Sequence, residues 1–393
     1  MDSTQFFDKL LISIIAYQAL IFAIILLFYK KENNRSKRIL GFYMFLNALY
    51  YAFSFCYYNG SYHIFIFQYY VIIPIISLFQ PFFYFYIKSL TNPHFKCSKK
   101  QLLHFIPAFT FLFLNIILFS QLTYEQKIQL FSFNKTINNI YFNIFYYLHV
   151  SGYHLILSIQ ALIYLILIIK LVYKHRKSIP DNFSSYDGVS LNWLITLLIL
   201  FFSITILQEL FGNIKDISTN VNSRISYNVF MLFTLAFIGI AGIRQKEIYA
   251  KVFIPLKNND IDINELDKNK YQASSLTNEE KLKLSKELKK LLEEEKLFLD
   301  NNLRLDDLVV RLNTNRQYLS QIINEVYEQN FYGLINKYRV DEVKKMFFNK
   351  QHKQMTIMGI ANSVGFNSKS TFNTLFKKYT NKTPSQFIKE NNL

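Results

Sequence analysis

Thr356-Ile357-Met358-Gly359-Ile360-Ala361-Asn362-Ser363-Val364-Gly365-Phe366 and Asn367-Ser368-Lys369-Ser370-Thr371-Phe372-Asn373-Thr374-Leu375-Phe376-Lys377-Lys378 spell two short helical patterns joined by a tight turn. Thr356 is an N-cap, whose hydroxyl can accept an otherwise orphaned amide of the first turn. Ile357, Ile360 and Ala361 then recur at helical spacing. Gly365 has no Cβ and so takes the positive φ that reverses the chain, and Ser368 caps the helix that follows. On that second helix Phe372, Leu375 and Phe376 make one apolar face. Lys369, Ser370, Asn373 and Thr374 are left on the opposite face, with Lys377 and Lys378 beyond them. Such side chains suit the edges of bases and the phosphates of a duplex.

Working upstream, the same pattern occurs once more. Leu305 to Leu312 reads as a helix, Asn313 tolerates the left-handed conformation a tight turn needs, and Asn315 caps a second helix from Arg316 to Asn324. That helix buries Leu319, Ile322 and Ile323 and leaves Arg316, Gln317, Ser320 and Gln321 outward. Glutamine matches the edge of adenine, and arginine matches guanine or a phosphate. Between the two units a helix from Phe331 to Phe348 is expected, ~27 Å long at about 1.5 Å per residue. A rod of that length places two recognition helices about one turn of DNA apart on one face of a duplex. Before the first unit, Thr277-Asn278-Glu279-Glu280 is a capping box, followed by a stripe of Leu284, Leu288, Leu291 and Leu292. The stripe is either a seam between copies or a face packed on its own domain; the second is favoured, because too few heptads follow for a coiled coil.

The first 245 residues differ in kind. Seven apolar stretches are each long enough to cross about 30 Å of hydrocarbon. They run Leu10–Tyr29, Ile39–Cys56, Ile64–Ile87, Leu102–Ser120, Leu148–Val172, Leu191–Phe211 and Tyr227–Ile243. Lysines and arginines in the loops and at the span ends beside them number 5, 0, 4, 2, 4 and 2, Lys170 near the end of the fifth span being counted with the fifth loop, and cytoplasmic loops keep the positive excess. The N-terminus is therefore expected outside and everything after Arg244 inside, in the compartment that holds DNA. The first apolar segment is as long as a full span and reads as a retained helix, not a cleaved signal. Within the spans Glu209 is the sole carboxylate expected, beside Gln208. Gln18, Asn47, Gln68, Gln80, Asn115, His154 and Gln160 are candidates to face the interior of the bundle.

Net charge is +17, and its distribution is informative. Residues 343–393 carry 9 lysines or arginines against the single acid Glu390, a basic terminus suited to phosphate contact. Residues 246–276 lose apolar density and gain Asn, Asp and Lys, as in an exposed connector. Cys56 and Cys97 fall in loops on opposite faces of the expected bilayer, which argues against a disulfide. The histidines are scattered, and there is no C-x-x-C, H-E-x-x-H, G-x-S-x-G or Walker loop. No metal, cofactor or catalytic residue is expected.

The C-terminal part resembles the AraC/XylS DNA-binding domain. The resemblance rests on Leu319-Ser320 with Ile323-Asn324, Phe331 with Ile335-Asn336 and Arg339-Val340, Ala361 with Gly365-Phe366, Ser370 with Phe372, Phe376-Lys377-Lys378, and Thr383-Pro384 with Phe387. It covers roughly residues 275–390. Asn381 stands where the family usually has glycine, Ile388 where it has arginine, Val309 where it has alanine, and Gly359 where it has a polar helix former. The whole chain is similar to bacterial regulators that join seven membrane helices to such a domain. The resemblance implies that the second helix of each unit reads bases.

The expected fold is thus all-α: a seven-helix transmembrane bundle over 1–245, N-terminus out and C-terminus in, a connector over 246–276, and a cytoplasmic tandem helix-turn-helix domain over 277–393. The expected function is a transcription regulator of the bacterial inner membrane that couples a signal sensed at or in the membrane to gene expression. Its expected partners are double-stranded DNA, the lipid bilayer, a signal ligand of unknown chemistry and a second copy of itself, given the symmetry of such readers. The DNA contacts fall to Arg316, Gln317, Ser320, Gln321, Lys369, Ser370, Asn373, Thr374, Lys377 and Lys378. The alternative is a transporter or membrane receptor with a nucleic-acid module attached, which calls for buried charges and broken helix pairs in the spans. The connector also leaves open release of residues 246–393 by proteolysis.

Overall fold

A computed structural model describes residues 3–29, 35–60, 62–92, 95, 98–129, 139–148, 153–186, 189–196, 198, 221–245 and 277–392. Among the described residues all regular structure is helical, with one isolated antiparallel bridge between Phe183 and Arg304. Two compact units emerge, one drawn from Met1–Val172 and Leu191–Ala250, the other from Tyr173–Ser190 and Lys251–Leu393.

The first unit is built on α1 (Ser3–Leu27), α2 (Arg35–Tyr58), α3 (Tyr62–Thr91), α4 (Ile106–Ser120), α5 (Ile140–Tyr147), the first part of α6 (Tyr153–Asn182) and α7 (Val221–Arg244). Among the described residues, six helical stretches are long and apolar enough to cross a membrane: Ser3–Leu27, Arg35–Tyr58, Tyr70–Thr91, Lys99–Ser120, Leu155–Asn182 and Arg224–Arg244. They correspond to six of the seven apolar stretches of the sequence. The other, Leu191–Phe211, lies mostly outside the described residues, as do Gln208 and Glu209. Pro74 and Pro81 do not end α3. Proline has no N–H, so Pro74 and Pro81 leave the carbonyls of Tyr70 and Ser77 without their helical donors; Asn115 Nδ2 donates to the first at 3.4 Å and Gln160 Nε2 to the second at 2.8 Å, which lets the helix run through both prolines.

Several polar side chains within these helices find partners inside the unit, whereas Gln68 Oε1 and Gln80 Oε1 are buried with no hydrogen-bond partner among the described residues. Asn115 accepts from the Tyr153 hydroxyl at 2.7 Å, Gln160 donates to the Ser77 carbonyl at 2.8 Å, and Gln18 donates to the Leu232 carbonyl at 3.1 Å. Asn47 and Asn115 are buried. One expectation is corrected here. Helix α1 begins at Ser3, not Leu10, so Asp8 is a carboxylate within a candidate span, and Glu209 is not the sole one. Asp8 is buried, with Arg224 Nε at 2.5 Å and Asn228 Nδ2 at 3.0 Å. A partner cation and a second donor offset part of the cost of burying a carboxylate. Reading hydropathy alone cut α1 short at Asp8 and Lys9, because a paired charge counts there as a break.

The second unit carries α8 (Asn278–Glu293), α9 (Leu305–Arg311), α10 (Arg316–Tyr327), α11 (Phe331–Phe348), α12 (Ile357–Ser363), α13 (Lys369–Thr380) and α14 (Pro384–Glu390). It has two apolar cores. Leu288, Leu291, Leu292, Leu305, Leu308, Leu319, Ile323, Phe331, Leu334 and Ile335 form the first. Val340, Val343, Phe347, Ile360, Ala361, Phe366, Phe372, Leu375 and Phe376 form the second. Helix α11 therefore serves both cores, its N-terminal half in one and its C-terminal half in the other. Leu288, Leu291 and Leu292 of the α8 stripe enter the first core, and Leu284 is buried too, so the stripe is a packed face of its own domain.

Candidate nucleic-acid interface

Each helix-turn-helix is fixed by capping and by left-handed residues at its turns. Asn315 Oδ1 accepts the Tyr318 amide at 2.8 Å to start α10, and Asn330 Oδ1 accepts the Gly333 amide at 2.9 Å to start α11. In the second unit Thr356 Oγ1 accepts the Gly359 amide at 3.0 Å, and Ser368 Oγ the Thr371 amide at 3.4 Å. The turn between α9 and α10 places Asn313 at φ 45°, and the turn between α12 and α13 places Gly365 at φ 98°. Asn381, where glycine is usual, takes φ 58° as the C-cap of α13. Asparagine's short polar side chain makes that conformation affordable.

With the cores fixed, the outward faces follow. On α10 Gln317 is exposed and Arg316, Ser320 and Gln321 are half-buried. On α13 Lys369, Ser370, Asn373, Thr374, Lys377 and Lys378 are all exposed. The two faces are electrostatically unlike. Around α10 the cations are paired: Arg316 forks onto Asp306, Arg311 Nη1 lies 2.7 Å from Glu295, and Lys281 Nζ 2.8 Å from Glu325. Gln321 donates to Glu325 at 2.7 Å, and Lys281 together with Gln321 holds that carboxyl below its ordinary range. On α13 no ion pair engages Lys369, Lys377 or Lys378 among the described residues. Free cations are the ones that can replace counterions along a phosphate backbone.

Within the C-terminal unit, the relative setting of the two helix-turn-helix motifs rests on buried polar residues that hydrophobic periodicity passes over. At the middle of α11, between the two cores, Asn336 and Arg339 are each 1 % exposed. Arg339 Nε donates to the Phe298 carbonyl at 2.8 Å and Nη2 to the Asp300 carbonyl at 2.7 Å, both in the link between α8 and α9. Its guanidinium also lies 5.9 Å from the Phe366 ring of the second unit. Burial pulls the Arg339 pKa down to about 10, with Asp300 acting in the opposite direction. Gly365 closes the junction from the other side: a Cβ there would stand 2.8 Å from the Leu299 carbonyl and 2.9 Å from Arg339 Nε. Asn301 donates to Asn367 at 2.9 Å across the same seam. The sequence marks Asn336 and Arg339 only through the family resemblance, which gives no sign of their burial.

Residues 308–390 match a family profile described as a helix-turn-helix domain. The Msm operon regulatory protein of Streptococcus mutans is 32% identical over 90 residues, which are 23% of this chain and 31% of that protein. An HTH-type transcriptional regulator from the cgkA 5' region of Pseudoalteromonas carrageenovora is 28% identical over 120 residues, 30% of this chain and 69% of that one. The probable transcription factor PqrA of Proteus vulgaris is 30% identical over 94 residues, 24% of this chain and 75% of that one. No solved structure matches the chain. Through its C-terminal domain the chain belongs to the AraC-type helix-turn-helix family of transcriptional regulators.

Proposed function

We propose that the chain is a sequence-specific DNA-binding transcription regulator held in the bacterial inner membrane. Residues 1–245 are its membrane-embedded sensor, 246–276 its connector and 277–393 its cytoplasmic reader. The observation that carries this reading is the coexistence in one polypeptide of six apolar helices of membrane-spanning length and an AraC-type domain with two capped recognition helices. The loop charges of the sequence support an orientation that gives the reader access to DNA. Gln317, Ser320 and Gln321 on α10, and Lys369, Ser370, Asn373 and Thr374 on α13, meet base edges. Lys377 and Lys378 hold phosphates. Arg316, pinned to Asp306, sets the tilt of α10 and presents a side chain that is 42% exposed to the backbone of the duplex. Paired copies on paired sites fit the symmetry common to such readers. A signal controls the reader to the extent that it binds two states of the membrane half with different affinity.

The experiment is selection from a random-sequence duplex pool by the full chain in lipid nanodiscs. Enrichment of a motif with two short elements about one helical turn apart is expected. A pool that stays random after repeated rounds contradicts the proposal.

A further inference from the structure

The chain between the end of α6 and Ser190 belongs to the same compact unit as the reader, although the sequence separates them by the whole of α7. It is seated on the junction between the two helix-turn-helix units. Ser184 is 1 % exposed and Phe183 4 %. The Ser184 amide donates to the Leu303 carbonyl at 3.2 Å, and Phe183 bridges antiparallel to Arg304, the residue that precedes α9. The Ser184 carbonyl accepts from Asn336 Nδ2 at 3.1 Å and from Arg339 Nη1 at 3.1 Å. Ser184 Oγ accepts from Arg339 Nη2 at 3.2 Å. The Tyr186 ring packs edge-on against Tyr332 with centroids 4.7 Å apart, and the Arg304 guanidinium lies 5.6 Å from the Phe183 ring centroid.

We propose that Phe183–Tyr186 is an intramolecular ligand of the reader, and that its seating on the Asn336–Arg339 hub is how the membrane half sets DNA affinity. The proposal rests on the function assigned above. Its physical basis is the valence of one buried guanidinium. Arg339 gives two donors to the Phe298 and Asp300 carbonyls, and Ser184 takes donors from both of its terminal nitrogens. Withdrawing Ser184 leaves buried N–H groups of a cation short of acceptors, which destabilises the arrangement that spaces the two cores along α11. None of the partners named for the segment is an outward residue of α10 or α13. Seating therefore fixes the spacing of the recognition helices without covering them, and the seated state is the one that binds DNA. The segment follows α6 directly, so a displacement of that helix's end is the motion that unseats it. Control passes through this segment and not through the connector at 246–276.

The test uses the full chain in lipid nanodiscs and, as probe, the duplex that the selection above enriches. In the double variant Phe183→Ala, Tyr186→Ala, affinity is expected to fall about tenfold, within the usual range of coupling between sites. Amide exchange around Leu303 and Arg339 is expected to quicken with it. Lengthening the connector by ten Gly-Ser residues is expected to leave affinity at the parental value. In a third variant, Tyr186→Cys and Tyr332→Cys are joined by a short bis-maleimide in a Cys56→Ser, Cys97→Ser background. This chain has the segment tethered in place and is expected to bind as the parent does. Unchanged or tighter binding by the double variant, loss of binding in the tethered chain, or loss on lengthening the connector each overturns the proposal. A parent chain that enriches no motif overturns the assigned function instead, so the two failures are distinguishable.

Discussion

Gly365 is the residue on which the second helix-turn-helix and the junction both depend. Its φ of 98° is in the region that side chains with a Cβ rarely occupy, and an added Cβ would meet the Leu299 carbonyl and Arg339 Nε at under 3 Å. Neither neighbour is free to move, since one is backbone and the other is a buried hydrogen-bonded guanidinium. Gly365→Ala is expected to cost at least about 1–3 kcal/mol, the usual range for a strained backbone position. The measurement is amide exchange over Ile360–Phe376 in the full chain, where faster exchange is expected; protection equal to the parent's would contradict the role given to the turn. The role of Gly365 in the turn was legible from the motif, because only the backbone was at issue. Its second role was not. The approach of Leu299 joins residues far apart in sequence, and no local period records it.

At the scale of the element, the two recognition helices are alike in construction and different in charge. Both are capped by a side chain on an amide, and both bury three apolar residues at i, i+3 and i+4. Only α13 carries lysines that no carboxylate engages among the described residues. Phosphate affinity should therefore reside mainly in α13. Lys369→Ala and Lys378→Ala are each expected to weaken binding to all duplexes alike and to lower the slope of log affinity against log salt by about 1. Gln317→Ala and Asn373→Ala are expected to leave that slope unchanged and to relax base preference at one position, by about 1–3 kcal/mol. Titrating specific and random duplexes across a salt series checks both; a salt slope unmoved by the lysine variants would contradict the division. Apolar spacing and capping residues made α9 to α13 readable in advance. The pairing of Arg316 with Asp306 was not, because a side chain pointing outward on a helical wheel can still be captured by a neighbouring helix. The pairing of buried Asp8 with half-buried Arg224 escaped for the same reason: the two residues are brought together only by the packing of α1 on α7.

At the scale of the whole molecule, the account joins two chemistries. Among the described residues six helices are long and apolar enough to cross a bilayer, and the C-terminal unit joins two helix-turn-helix motifs through a helix of 18 residues. The sequence made both halves readable, because each depends on a repeating pattern. The seating of Phe183–Tyr186 has no such pattern: the segment holds the reader through the Ser184 backbone and hydroxyl and through two rings, long-range contacts that no local period records. The central claim is that one chain resides in the membrane and occupies chosen DNA sites from there. Its most direct test is a genome-wide occupancy map of the tagged full chain, cross-linked in cells and recovered from the washed membrane fraction. The account predicts discrete peaks that share a motif of two elements about one turn of DNA apart. Uniform coverage, or DNA recovered only with chain in the soluble fraction, would contradict it.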